Sequence, residues 1–553
     1  MKLRILAAAC FTATCVSCID INNELGRDLI ATDQQYDIYT VEIPVEDISV
    51  KFTDELSGLS SNWISIGAVR DEEYGLTTRS AAFSLVPVYD TLDFGRDPIY
   101  CGFHFAAPLD TVSITDDSQQ YILQNVHVYE LEEAIDFSKK SGTNTLVKHK
   151  GKRITKGIPV FNGTDSLSFD FTEEFGKKYM QILQSDLDTM PHYTAKYPGI
   201  FITMDPPVGN GGRINMFDVS CFVVYDNVYT VDRARTAELK FNAIYDGVRK
   251  DTSFFFLYGE PEFFDEYEYI ENMTRVPQYS YNMTTHETRG SEGPVQGDIL
   301  IEGGGGLKPV ISAADLQRKA LAAIKDKGDP SKVIINRATL VLPFTMPDDY
   351  RQLEYYPQVL SPTCRIVPED KDKDISFAGL TDASNSQENQ GDLDRSNLQY
   401  VPDITHHLQE LIRLDDPSKI SNYDIWLLIV SNEEIETATS TNEQNEYYQQ
   451  MMYASYYNNL YNGYGYGYGY SPYGYGYGGY GGYGYGGYGY GGYGYSNYYS
   501  YAMMAAMYGS SSSSTTTTPV LDLSRFYKAR LTGPGAKCGR VPTLKITYSL
   551  PRE

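Results

Sequence analysis

Asp170-Phe171-Thr172-Glu173-Glu174-Phe175, running on to Leu183, decides how the chain is divided. An Asp, an apolar residue and a Thr lead into apolar positions at helical spacing, which reads as a short helix with a Thr cap. Asp403-Ile404-Thr405-His406-His407-Leu408, running on to Ile412, repeats the arrangement. Within a few tens of residues each is followed by a strongly apolar run. After the first comes Gly199-Ile200-Phe201-Ile202-Thr203-Met204, and after the second Ile425-Trp426-Leu427-Leu428-Ile429-Val430. Helix then apolar strand, twice over, predicts an internal duplication: two β-sandwiches, each with a helix across one end.

Outward from these stretches, strand signals dominate. Ile38-Tyr39-Thr40-Val41-Glu42-Ile43 alternates and stops at Pro44, Ala338 to Phe344 is β-branched and apolar, and Leu544, Ile546, Tyr548 and Leu550 alternate with polar residues. Period two with Gly, Pro and Asp punctuation marks half-buried strands. The clearest helix is Ser312 to Lys327, with Ser312 and Asp315 as a capping box, Leu316, Ala320, Leu321 and Ile324 as one stripe, and Gly328 as the stop. The expected fold is mainly β: two tandem, jelly-roll-like β-sandwiches with a few short helices. The first spans 36–290, a Gly-rich linker and connecting helix 291–328, and the second 329–553.

Tyr453 to Tyr508 alternates Gly and Tyr and holds a large share of the chain's 49 tyrosines; a Ser/Thr tract follows to Thr518. Rich in glycine and poor in aliphatic side chains, such a stretch cannot offset the entropy of ordering. It is expected to be a disordered insertion at 453–518, placed between strands because foldable sequence resumes at Val520.

The amino terminus carries Lys2 and Arg4, an apolar run from Ile5 to Val16, and then Val16-Ser17-Cys18. The run is too short to span a bilayer and reads as a signal peptide over 1–17. Val16-Ser17-Cys18 resembles the lipobox of bacterial lipoproteins. Cys18 is therefore the expected lipidation site, with residues 18–35 as tether and the membrane as a partner through the lipid.

With a net charge of −26 and a pI near 4.7, the chain lacks the basic surface that phosphate contacts require, which excludes nucleic acid as a partner. Cys101, Cys221, Cys364 and Cys538 are scattered, without CxxC or zinc spacing, and read as buried free thiols.

Several stretches carry a resemblance. They are Asn23 to Ile30, then Ser65-Ile66-Gly67-Ala68-Val69-Arg70-Asp71-Glu72-Glu73-Tyr74-Gly75, Val126-His127-Val128-Tyr129-Glu130-Leu131 and Tyr197 to Ile202. Gly304 to Ile311 and Ile335 to Leu340 complete the series. In order and spacing they resemble a Bacteroidota lipoprotein family known as domain of unknown function 4270. The resemblance implies an outer-membrane lipoprotein and no activity. Acidic residues beside Cys18 are few, Asp20 and Glu24, so the periplasmic and the surface-facing orientation both stay open.

Catalysis needs a positioned base, nucleophile or metal. None of the seven histidines has HxxxH or HExxH spacing, and adjacent His406 and His407 point about 100° apart on a helix. Gly303 to Gly306 is not followed by GK[ST] and reads as a turn. Asp370, Asp372 and Asp374 open like a calcium loop, but Ile375 and Thr381 stand where Gly and Glu belong. No cofactor, metal ligand or catalytic residue is assigned. Thr91, Thr111, Ser166 and Thr189 each follow an Asp and precede an aliphatic residue, which resembles the acceptor of Bacteroidota O-glycosylation. The expected function is a non-catalytic outer-membrane lipoprotein that binds a glycan or serves an envelope protein complex. The alternative is a glycan-active hydrolase on a sandwich scaffold, using paired carboxylates.

Overall fold

The computed structural model describes residues 35–552 except 61–62, 90, 116, 137–141, 220, 226–228, 259–260, 264–279, 288–291, 369–370, 372–374, 381, 383–390, 437–514 and 523–524. Cys18, Asp370, Asp372, Asp374 and the Tyr/Gly tract therefore lie outside the described residues.

The strands that build the fold are, in chain order, β1 (Tyr36–Pro44), β2 (Ile48–Phe52), β3 (Trp63–Asp71), β4 (Gly75–Phe83), β5 (Arg96–Ile114) and β6 (Gln124–Leu131). Next come β7 (Ser166–Asp170), β8 (Ile200–Met204), β9 (Gly211–Asp218), β10 (Asp298–Glu302), β11 (Leu307–Ile311) and β12 (Ile334–Pro343). The last are β13 (Val359–Ile366), β14 (Gln399–Tyr400), β15 (Ile425–Glu436), β16 (Thr515–Leu521), β17 (Lys528–Thr532) and β18 (Thr543–Pro551). The helices that matter here are α1 (Glu173–Tyr179), α2 (Ala313–Lys325) and α3 (Thr405–Arg413).

The fold is mainly β, made of antiparallel sandwich-like sheets with few helices, as the alternating patterns predict. In the first sandwich β6, β8, β4, β3, β9 and β5 lie side by side in one continuous sheet, and β7 pairs with β5. Strands far apart in that sheet share one core, so the sheet curls around it: Phe83 of β4 stacks on Phe105 of β5 at 6.0 Å. That core is aromatic. Phe103 alone meets Phe171 at 4.8 Å, Tyr179 at 5.3 Å and Phe256 at 5.4 Å. The second sandwich has two separate sheets, one ordered β1, β18, β12, β14 and the other β2, β11, β15, β13. Its core is aliphatic, with Leu340, Leu342, Leu427, Ile429, Leu544 and Ile546 packed beneath α2 and α3.

The two pairing schemes coincide. β3-β9-β5-β7 corresponds to β1-β18-β12-β14, and β6-β8-β4 to β13-β15-β11. The equivalent elements also follow in the same chain order, with α1 and α3 each between the short strand and the apolar strand that follows it. The duplication read from Asp170 and Asp403 is thus present in the strand topology.

Three boundaries differ from expectation. β1 and β2 belong to the second sandwich: β1 pairs with β18 along its whole length, Tyr36 against Pro551 to Pro44 against Thr543, and β2 pairs with β11. The first sandwich is therefore set within the second rather than starting at residue 36, because the partners of β1 are the last residues of the chain. The Gly-rich stretch is not a free linker. β10 and β11 flank it, β10 pairs with β17, and Gly303 to Gly306 is a buried turn. Finally, Thr515 to Thr518, expected inside the insertion, belong to β16, which pairs with β15. Glu436 and Thr515 are register partners, so the stretch between them leaves and returns at one place.

The helix ends correct a further expectation. α2 starts as predicted, with the Asp315 N–H donating to Ser312 Oγ at 3.4 Å, and it buries Leu316, Ala320 and Ile324. α1 is capped by Thr172, whose Oγ1 accepts from Phe175 N at 3.4 Å. Thr405 is not a cap. Its hydroxyl accepts from Ala338 N at 2.8 Å, and the N–H groups of His406 and His407 donate instead to Asp382 at 2.8 and 3.0 Å.

Candidate functional site

The strongest concentration of buried ionisable groups lies where the sandwiches meet, and the residues of the resembling motifs build it. Asp71-Glu72-Glu73-Tyr74-Gly75 is the β3–β4 turn. Asp71 Oδ1 accepts from Glu73 N at 2.9 Å and Tyr74 N at 3.1 Å, and Gly75 takes φ 80°, where a side chain is strained. The tip of this hairpin docks on β17 of the second sandwich. Tyr74 donates its hydroxyl to Ala529 O at 2.7 Å, Lys528 meets Asp71 at 2.7 Å, and Arg530 pairs with Glu73. Although burial pushes the Asp71 carboxyl up, the bonds from Lys528 and the turn hold it below the usual carboxylate range.

Beside the hairpin the Gly303–Gly306 turn is gripped from two sides. Lys308 Nζ donates to Gly304 O at 3.0 Å and Gly306 O at 3.1 Å, and Thr53 Oγ1 donates to Gly306 O at 3.1 Å. Gly304 has φ 59°, and any Cβ there would collide with the buried Arg79 guanidinium from β4. His286 closes the cluster, its Nδ1 at 3.2 Å from Thr77 Oγ1. Burial sets the charges: it pushes Glu302 up to about 7 and Lys308 down to about 7. His286 is pushed down to about 3 by burial and by the positive charges of Arg79 and Lys308. Perturbed groups mark functional sites or structural networks. Lys308, the one amine here with a nucleophile's depressed pKa, is fully enclosed and bonded to turn carbonyls. The arrangement is thus a seam that fixes one sandwich on the other.

His104, His406 and His407 do not converge. His406 is exposed and His407 buried, with its Nε2 at 3.0 Å from Tyr423 O, so the two point apart as their adjacency requires. His104 meets Asp170 at 2.9 Å on a different face. Among the described residues no group of three or more His, Cys, Asp or Glu is placed to hold a metal ion. Cys101 and Cys538 are exposed, against the expectation of buried thiols, because Cys101 lies on an outward stretch of β5 and Cys538 in a surface turn. Cys364 is buried and its thiol is pushed up to about 12.

On the outer face of β6 and β8 the sequence reading missed a surface cluster. Tyr129 and Phe201 are register partners, and the His149 ring lies parallel to both at 4.5 and 5.0 Å. Next to them His127 Nε2 lies 2.8 Å from Asp205 Oδ1, and Asn125 donates to Asp205 Oδ2 at 2.9 Å. The signal was available: alternation from Gln124 to Tyr129 puts Asn125, His127 and Tyr129 on one face. Of the four modification candidates, Thr91 and Thr189 are exposed, and Thr189 caps the Met190–Lys196 helix. Thr111 and Ser166 are half-buried within strands.

Among the described residues no helix is long and apolar enough to cross a membrane. No protein-family model, no curated protein and no solved structure matches the chain.

Proposed function

We propose that this chain is a non-catalytic envelope lipoprotein, held at the outer membrane through Cys18, whose paired sandwiches form a rigid binding module for a glycan. The observation that carries this reading is the fate of its perturbed groups: Lys308, Glu302 and His286 are enclosed at the seam, where Lys308 bonds the Gly303–Gly306 turn, Glu302 accepts from Leu307 N and His286 faces Thr77. What remains outside is a binding surface. The half-exposed Tyr129, His149 and Phe201 rings offer faces on which a pyranose can stack, and the His127–Asp205–Asn125 group beside them offers the hydrogen bonds that sugar hydroxyls need.

A second reading is a subunit of an envelope protein complex. It is favoured by a cluster of exposed apolar side chains at one end of the first sandwich, Tyr121, Leu123, Ile158, Val160 and Val208. Arg213 braces the 117–121 loop beneath them by donating to the carbonyls of Gln119 and Gln120.

The test uses the Cys18→Ala chain, which should leave the membrane fraction, and measures its retardation in gels cast with envelope polysaccharides. Tyr129→Ala with Phe201→Ala should abolish that retardation. Retardation that survives the double change removes the glycan site, and a protein that stays in the membrane despite Cys18→Ala removes the anchor. Release of reducing ends would instead make it a hydrolase. Loss of copurifying envelope proteins on Leu123→Asp would favour the complex.

A further inference from the structure

The duplication exposes an unfilled position. In the first sandwich β3 is paired on both sides, by β9 and by β4. Its equivalent β1 pairs only with β18 among the described residues, because the strand corresponding to β4 lies in the other sheet. The Arg552 N–H donates to Gln35 O at 2.8 Å, and the Val45 N–H to Pro542 O at 2.9 Å. Odd-numbered residues therefore exchange bonds with β18, and the N–H and C=O groups of Ile38, Thr40 and Glu42 point away from it. Among the described residues only the end of this edge is closed, where Lys319 of α2 donates to Pro44 O at 2.9 Å.

Natural edges are usually protected by lysine, proline, a bulge or a short length. β1 has nine residues in unbroken register, no basic residue, and no proline before Pro44. Ile38 on its outer face is 68% exposed. Its two carboxylates are already matched inside the chain, Asp37 by Arg552 at 2.8 Å and Glu42 by Lys545 at 2.9 Å. So although the whole chain is strongly acidic, this edge opposes no charge to a copy of itself.

We propose that β1 is a self-association edge: a second copy of this chain adds its own β1, antiparallel, about a two-fold axis at Thr40. That register overlaps the full strand. It sets Thr40 against Thr40 and Ile38 against Glu42 of the second copy, with every outward N–H of Ile38, Thr40 and Glu42 facing an outward carbonyl.

The test uses the full chain with Cys101→Ser and Cys538→Ser, oxidised gently in membranes and in detergent. Adding Thr40→Cys should give a cross-linked dimer absent from the parent. Adding Ile38→Cys alone should not, while Ile38→Cys with Glu42→Cys should. In sedimentation the unmodified chain should be a dimer. Thr40→Pro removes an N–H that β18 does not use, so it should leave melting nearly unchanged and weaken dimerisation by about tenfold or more. Thr40→Lys, which keeps the strand, should do the same if Thr40→Pro does not fold. A monomer at the highest soluble concentration, or equal cross-linking at 38 and 40, would overturn the proposal.

Discussion

The two sandwiches share a strand scheme and almost nothing of its chemistry. The first is filled with Phe and Tyr inside one curled sheet; the second is filled with Leu, Ile and Val between two sheets. One helix is capped by the residue that precedes it, the other by an aspartate 24 residues before the first N–H that it accepts. What is kept is the order of elements and the alternation of buried and exposed positions, the two features that specify which strand lies beside which. Volume within the core was free to change as long as it was filled.

The largest effect expected from this contrast is in the aromatic core. Phe103 contacts four rings, so Phe103→Ala should cost about 3–5 kcal/mol, and Leu427→Ala in the aliphatic core about 2–5 kcal/mol. Because the β3–β4 hairpin and β17 are tied by Tyr74, Lys528 and Arg530, each change should shift one common denaturation transition. Two separated transitions, each moved by only one of the variants, would show that the seam does not couple the halves.

Acid sharpens the comparison next. His407 is buried in the second sandwich and held neutral, with a pKa of about 4 against the usual 6.5, through burial. The unfolded chain takes up a proton below about 6.5 that the folded chain refuses, so this stability is present above 6.5 and is lost as pH falls toward 4. Its full size is about 3 kcal/mol. In the seam His286 acts in the same direction. Glu302 opposes it: protonated in the folded chain up to about 7, it adds stability as pH falls from 7 to 4.5. His407→Gln should therefore flatten the fall in stability between pH 6.5 and 4.5 in denaturant titrations. An unchanged slope would mean that His407 does not carry it.

How much of this was legible depends on distance along the chain. Val126 to Leu131 and Ile200 to Met204 could be read as strands because their neighbours alternate, and α2 because Ser312 and Gly328 bracket one stripe. The place of β1 could not be read, since its partner is the final strand and nothing local to Ile38 names it. Gly303 to Gly306 could be read as a turn, but within a linker and not as a buried one, because four glycines signal freedom. Here they turn carbonyls toward the neighbouring Lys308 and leave room for the Arg79 side chain, a partner that comes from far along the chain. The seam failed to show for the same reason. Asp71, Arg79, His286 and Lys308 are ordinary residues until topology gathers them.

The smallest expected effects, at the two helix caps, test the duplication most finely. Thr172 and Thr405 occupy the same place in sequence but different places in hydrogen bonding. Thr172→Ala removes one part-buried bond to Phe175 N and should cost about 1 kcal/mol. In the second sandwich the same loss belongs to Asp382, a buried carboxylate that accepts two N–H groups at the helix start. Asp382→Ala leaves both unsatisfied and should cost about 2 kcal/mol or more. Thr405→Val keeps the shape and removes the acceptor for Ala338 N, a bond from helix start to β12 and not a cap, together with the bond that the hydroxyl donates to Asp403 Oδ1 at 2.5 Å. It should destabilise the chain by about 1 kcal/mol, and its effect should add to that of Asp382→Ala if the two act on separate donors. Strong non-additivity between them, measured in a double-mutant cycle, would mean that Thr405 and Asp382 form one capping unit. The two halves would then be closer in mechanism than their hydrogen bonds suggest.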